Sequence, residues 1–294
     1  MRLRPVRLPD DLSGLERLFG VITECDGHSP IGEHKYLDLR HADADRVTGL
    51  VGEVDGEPVA YVAMAPTQEQ GTWAIELALH PFHRERDTDQ MVIDAAVEHV
   101  AGSGARRVRS WVFHPTLASV FEESGFVPER ELRQLRISLP PPRPAVFPPD
   151  MDVRGFVVGA DEATWLAVNN QAFSGHPENG SWTRDVLEDR KGQDWFDPNG
   201  FRMLWHGERL AGFCWTKVQS EDVGEIYVIA TAVGYRGRGL GAALVLEGLR
   251  YMSEQEGLGR AMLYVDADNK EANRLYESLG FRLDHVDRAM VREL

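Results

Sequence analysis

Residues 236–241 read RGRGLG, set between the apolar run EIYVIATAV (225–233) and the helix-forming AALVLEGLRYM (242–252). Three glycines where a strand gives way to a helix, with no side-chain acceptor to cap that helix, leave its first N–H groups and positive dipole end open. Such an end cradles an anion, and a diphosphate suits it. The dinucleotide fingerprint needs a wider glycine spacing, and the Walker loop needs a lysine followed by Ser or Thr. The run has neither. What remains is R-x-x-G-x-G on Arg236, Gly239 and Gly241, which alone describes a glycine-rich turn as well as a phosphate loop.

Working outward, the second half reads as a short strand (152–158), a helix (161–173) and two strands, FRMLW (201–205) and AGFCWTKV (211–218), around HGERL. The strand and helix flanking the glycines come next, followed by a strand (260–267), a helix (270–279) and the closing strand FRLDHVDRAMV (281–291). The first half repeats this order. It has a strand (2–8), a helix (11–23), paired strands GLVGEV and PVAYVAM around DGEP, strand IELAL (75–79) and helix QMVIDAAVEHV (90–100). Its last elements are a strand (106–114), a helix (116–124) and the closing strand FVPERELRQLRISL (126–139). The pattern is an internal repeat of roughly 140 residues, mixed α/β in both copies, and predicts two tandem domains. Between them LPPPRPAVFPPD (139–150) holds six prolines in twelve residues, which excludes helix interiors and central strands. The expected division is residues 1–139, a proline-rich linker at 140–150, and 151–294.

Composition narrows the function. The chain has 294 residues, 43% of them hydrophobic, enough for real cores. Its 47 acidic against 32 basic residues give a net charge of −15, which repels nucleic acid and anionic membranes over most of the surface. Cys25 and Cys214 are too few for a disulfide framework or a thiolate metal cluster, and no metal is expected. His80 and His83 lack a third ligand nearby and read as a turn and a helix entry. The opening MRLRPVRLPDD has no apolar run of the kind a secretory leader needs, so the expected address is the cytoplasm and the expected state a monomer.

With DNKEANRLYESLGF (268–281) following about thirty residues after the glycine run, the sequence resembles the GNAT superfamily of N-acetyltransferases, whose pyrophosphate loop has the form [RQ]-x-x-G-x-[GA]. Further stretches resemble the mycothiol synthase family within it: DGHSPIGEH (26–34), VNNQAFSGHPENGSW (168–182), DWFDPNG (194–200), FCWTKV (213–218), GEIYV (224–228) and MLYVDADN (262–269). The resemblance spans nearly the whole chain and is densest from residue 168 onward. It implies two tandem GNAT-like domains, acetyl-CoA as co-substrate, and a small-molecule acceptor, the cysteinyl amine of cysteinyl-glucosaminyl-inositol.

Acetyl transfer to an amine needs a base for the ammonium, a polarised thioester carbonyl and a proton for the departing thiolate. Glu225 opens the strand leading into the glycine run, where a carboxylate takes up an ammonium proton directly or through water. The resemblance implies that Ile229, Ala230 and Thr231 splay from the neighbouring strand and free backbone N–H groups for the thioester oxygen. It also places the Tyr276 hydroxyl beside the thioester sulfur; a phenol of ordinary pKa, about 10, is protonated at neutral pH and serves as general acid. Cofactor contacts are expected from Arg236, Gly237, Arg238, Gly239, Leu240, Gly241 and Ala242, and from Asn269, Lys270, Glu271, Ala272, Asn273 and Arg274 at the next helix. The resemblance carries acceptor contacts onto Glu33, Glu178, Lys217, Glu225 and Tyr264.

The first copy departs from this pattern. Aligning Arg84 with Arg236 sets Asp87 and Asp89 where Gly239 and Gly241 stand, and Phe121 takes the place of Tyr276. That copy is expected to supply an acceptor wall through Glu33, with a single acetyl-CoA bound in the second. The motifs leave two alternatives open: an acetyltransferase for another amino-sugar, antibiotic or peptide amine, or an acyl-CoA sensor without turnover.

Overall fold

Apolar alternation becomes strand and 3.6-residue periodicity becomes helix along nearly the whole chain. A computed structural model describes residues 1–27, 29–41, 47–67, 69–176 and 179–294, with the backbone alone at 33, 34 and 115. In the first half the described elements are β1 (Arg2–Pro5), α1 (Leu12–Asp26), α2 (Glu33–Arg40), β2 (Thr48–Val54), β3 (Glu57–Pro66), β4 (Thr72–Leu79), α3 (Arg86–Gly102), β5 (Arg107–Val112), α4 (Pro115–Glu123) and β6 (Val127–Ser138). In the second they are β7 (Asp152–Arg154), α5 (Glu162–Ala172), α6 (Arg184–Lys191), β8 (Phe201–His206), β9 (Arg209–Ser220), β10 (Val223–Thr231), α7 (Leu240–Glu254), β11 (Arg260–Asp266), α8 (Lys270–Ser278) and β12 (Arg282–Glu293).

Two helices are absent from the sequence reading. Helix α2, EHKYLDLR, carries too many charges to show an apolar stripe. Helix α6 shows the same problem; it is anchored by fully buried Leu187 and capped by Thr183, whose hydroxyl accepts from the Val186 N–H at 3.3 Å.

The chain folds as two units, Met1–Leu132 with Val286–Leu294, and Arg133–His285. This corrects the expected cut at 139/140. In the first unit the strands run β1-β2-β3-β4-β5-β12, with β12 antiparallel on β5 from Arg288↔Val112 to Glu293↔Arg107. In the second, the later half of β6 lies beside β11, followed by β10, β9, β8 and β7. The closing strands therefore cross over. Met290 of β12 is fully buried in the first unit's core, whereas Leu135 of β6 is buried in the second's. An alternating strand specifies a buried face; it does not name the sheet that buries it. The proline-rich stretch forms neither helix nor strand, as expected, yet Ala145 and Phe147 pack against the second core.

Each sheet has helices on both faces. In the first unit α3 and α4 cover one face through Val92, Ile93 and Phe121, and α1 covers the other through Leu15, Phe19 and Ile22. In the second, α7 and α8 bury Leu244, Leu249 and Tyr276 against Leu263 and Cys214, and the opposite face is an aromatic core of Trp165, Trp182, Phe201, Phe213 and Trp215 beneath α5 and α6. No helix among the described residues is long and apolar enough to cross a membrane.

Candidate active site

The second unit's sheet opens at its centre. Strands β10 and β11 pair in parallel from Val223↔Arg260 to Ile226↔Leu263 and then part, while β10 keeps antiparallel pairing with β9 as far as Thr231↔Gly212. A register shift between Ile226 and Val228 marks a bulge at Tyr227, and a bulge bends and twists the strand that carries it. Ile229, Ala230 and Thr231 thus have β9 along one edge and no β11 residue opposite the other. The expected splay lies where the sequence resemblance set it.

The glycine run follows directly. A 3₁₀ turn, Val233–Tyr235, leads into Arg236–Gly239, all exposed. Gly237 and Gly239 both have φ +76°, a left-handed conformation that side chains disfavour, and Gly239 is the N-cap of α7. No side chain caps this helix and no acid stands in its first turn, so the N–H groups of Leu240, Gly241 and Ala242 face outward unmatched by helix carbonyls. Buried Leu240 anchors the helix start. The loop is braced from behind: Arg236 Nη2 donates to the Ala172 carbonyl at 2.9 Å, and Arg238 lies 5.2 Å over the Tyr235 ring. The Tyr235 hydroxyl is 3.0 Å from His206 Nδ1, and His206 Nε2 is 3.0 Å from Asp150.

The two faces of the opened sheet differ in chemistry. Gly224 and Ile226 point to the α7 side, where an added Cβ on Gly224 would meet Met252. Glu225, between them, points to the aromatic side. It is 7% exposed, which removes the reading of a solvated strand-end carboxylate. Its cross-strand partners are Lys217 on β9 and Met262 on β11. Lys217 Nζ lies 4.7 Å from the centre of the Trp195 ring and 5.3 Å from that of Tyr227. Tyr264 is exposed on the same face of β11 and its hydroxyl accepts from Gln134 Nε2 at 2.8 Å. Tyr276 occupies the other face. It packs at 5.7 Å against Phe281, and burial pushes its phenol well above the ordinary value, so it holds its proton throughout the neutral range.

At the start of α8, Asn269 caps the helix by accepting from the Ala272 N–H at 3.1 Å. Asn273 is buried, and its amide donates to the Asp266 and Asn269 carbonyls at 2.8 Å each. Its side chain holds the β11–α8 turn, and Asn269, Lys270, Glu271 and Arg274 are exposed there. Of the remaining expected acceptor contacts, Glu33 begins α2 in the first unit and Glu178 lies outside the described residues. Tyr227, Trp195 and Arg190 were missed by the sequence reading. The bulge hides Tyr227, because it turns Tyr227 and Val228 to the same face and breaks strict alternation.

The first unit holds a counterpart of the same junction, and there too the parallel pairing stops before β4 ends at Leu79. Strands β4 and β5 pair from Thr72↔Arg107 to Glu76↔Trp111. Arg84, the counterpart of Arg236, donates to both carboxylate oxygens of Asp26 at 2.8 and 2.5 Å and to the Leu79 carbonyl at 3.0 Å. Helix α3 carries Asp87 and Asp89 in its first turn. Asp87 is exposed, whereas Asp89 turns inward; burial raises its carboxyl to about 6, and its Oδ1 has no hydrogen-bond partner among the described residues. Phe121 is fully buried against Phe126 at 4.9 Å. His80 Nδ1 accepts from the Phe82 N–H within a 3₁₀ turn, Pro81–His83, the turn role expected of it. Among the described residues no group of three or more His, Cys, Asp or Glu is placed to hold a metal.

The acetyltransferase (GNAT) family model matches residues 16–126 and 165–281. The mycothiol acetyltransferase of Streptomyces scabiei is 42% identical over 269 residues, covering 90% of this chain and 86% of that protein. That of Acidimicrobium ferrooxidans is 38% identical over 299 residues, covering 96% and 94%. Among solved structures, a tandem GNAT protein from the clavulanic acid biosynthesis pathway superposes with a TM-score of 0.78 at 16% identity, covering 99% of this chain and 98% of that one. A GCN5-related N-acetyltransferase from Sphaerobacter thermophilus gives 0.71 at 23% identity, covering 99% and 95%. These two likenesses speak to the fold alone.

Proposed function

The chain belongs to the acetyltransferase (GNAT) family and, within it, to the mycothiol acetyltransferases, and on that premise we propose which of its residues carry the reaction. The protein is an N-acetyltransferase of mycothiol synthesis; the acceptor is the cysteinyl amine of cysteinyl-glucosaminyl-inositol. One observation supports the assignment of roles most directly: Glu225 and Tyr276 lie on opposite faces of a sheet that is open between β10 and β11. A base for the amine on one side and an acid for the thiolate on the other require the thioester to sit in the gap.

The second unit fits acetyl-CoA. Its uncapped α7 terminus, the left-handed glycines and the absence of an acid in the first turn suit a diphosphate, with Arg236 and Arg238 exposed beside it. When bound there, acetyl-CoA supplies the activated acetyl group. Glu225 takes the ammonium proton of the acceptor. The free edge of β10 at Ile229–Thr231 offers backbone N–H groups to the carbonyl oxygen as it gains charge. Tyr276 protonates the sulfur. Lys217 and Tyr264 are the acceptor contacts among this unit's described residues. The first unit binds no second cofactor: Arg84 is held by Asp26, and exposed Asp87 stands where the second unit has Gly239, whereas Asp89 turns inward.

Replacement of Glu225 by Gln tests the base. The rate loss is expected to be greatest at neutral and lower pH and to shrink as rising pH deprotonates the amine in solution. A loss independent of pH would reassign Glu225 to substrate positioning. Calorimetric titration with CoA tests the count, with one equivalent expected; two of comparable affinity would return cofactor binding to the first unit.

A further inference from the structure

The aromatic face beside Glu225 is built more elaborately than a core requires. Lys217 Nζ is held over two rings, Trp195 at 4.7 Å and Tyr227 at 5.3 Å, and those rings meet edge to face at 5.1 Å. The Tyr227 hydroxyl accepts from Arg190 Nε at 2.9 Å. Arg190 is itself 9% exposed and lies 5.9 Å over Trp182. A buried guanidinium directed at a phenol oxygen fixes the ring that the lysine rests on. The bulge in β10 is what aims Tyr227 here, since Tyr227 packs with Val228 on the aromatic face while Ile226 and Ile229 pack on the other.

We propose that Tyr227 is a positioning residue for acceptor selection, fixing the Lys217 ammonium beside the base through Arg190 and Trp195. This rests on Glu225 as the base. Lys217 stands across the strand pair from Glu225, so the site takes the reacting amine at Glu225 and sets an oxygen-rich part of the acceptor against the Lys217 ammonium. Hydroxyls and carbonyls accept from an ammonium, whereas a second amine of a polyamine is repelled by it. A lysine that wandered would lose both effects, which is the reason to clamp it.

The test uses the full chain and five forms: wild type, Tyr227→Phe, Trp195→Leu, Lys217→Met, and Tyr227→Phe combined with Lys217→Met. Each is assayed for kcat and KM with cysteinyl-glucosaminyl-inositol and with a polyamine, and CoA affinity is measured by calorimetry. Tyr227→Phe keeps the ring and loses only the Arg190 bond; KM for the hydroxylated amine is expected to rise roughly five- to tenfold with kcat within about twofold. Trp195→Leu removes a ring from Lys217 and is expected to raise KM about tenfold. In the Lys217→Met background the Tyr227 substitution is expected to cost nothing further, and both lysine variants should accept the polyamine better than wild type does. Unchanged CoA affinity shows that the fold and cofactor site survive. If the Tyr227 and Lys217 effects multiply, or if kcat falls while KM holds, the positioning role is wrong. Should wild type prefer the polyamine outright, the selection rule fails. Glu225→Gln activity across pH, measured separately, reports on the underlying base assignment.

Discussion

Tyr276 combines two properties that a thiolate-protonating acid needs: its hydroxyl stays protonated because burial disfavours the phenolate, and it sits on the face of the sheet opposite Glu225. Tyr276→Phe preserves the packing on Phe281 and removes only the proton, so turnover is expected to fall about 10²–10⁴-fold at nearly constant acetyl-CoA affinity. Steady-state kinetics with calorimetric binding check it, and an unchanged turnover number would remove Tyr276 from the mechanism. In the first unit Asp89 gives a separate prediction. Its carboxyl is raised to about 6 from an ordinary 3.8 by burial. Between those values the folded chain keeps a proton that the unfolded chain has released, so this group's contribution to stability falls as pH rises through the window. Asp89→Asn removes that dependence. The variant's melting temperature is therefore expected to gain on wild type from about pH 4 to about pH 6, and parallel curves would contradict the assignment.

At the scale of the element, helices α3 and α7 occupy equivalent places after equivalent strands and differ in their first turns. Helix α7 starts from a left-handed glycine with no acid nearby; α3 starts from extended Glu85 with two aspartates. A Cβ on Gly241 would meet the Leu275 side chain at 3.5 Å and Thr231 Oγ1 at 3.8 Å, ordinary contacts. Gly241→Ala should thus bind CoA nearly as well as wild type. Gly241→Asp brings a carboxylate to the diphosphate, and like charges about 4 Å apart cost roughly 4 kcal/mol at an effective dielectric near 20, about a thousandfold in affinity. Calorimetry on both variants separates charge from size. Equal losses in the two would mean that space, and not charge, governs the loop.

For the whole molecule, the crossing of β6 and β12 makes each unit depend on a strand from the far end of the other half's sequence. Removing residues 286–294 strips β5 of its antiparallel partner, leaving only β4 beside it, and takes fully buried Met290 out of the first core. Loss of that side chain alone is worth about 2–5 kcal/mol. The truncated chain is expected to become protease-sensitive within residues 1–132 while still binding CoA, as limited proteolysis read by mass spectrometry will show. Retained protection of residues 1–132 would mean that β12 is dispensable there.

The sequence by itself determined the repeat, most strands and helices, and a glycine-rich strand-to-helix turn; the reading of that turn as a phosphate loop and of Glu225 and Tyr276 as base and acid candidates came from the family resemblance. The repeat, the elements and the turn depend on local spacing: period 2 or 3.6, and glycines at a helix start. Charge-rich α2 and α6 escaped because they bury too little to leave an apolar stripe. What only the tertiary structure decided was which sheet receives each closing strand, that Arg84 is held by Asp26, and that a bulge turns Tyr227 toward Lys217. These are choices among partners distant in the chain. An alternating strand or a lone arginine carries the same local signal whichever partner it finds, so packing makes the choice.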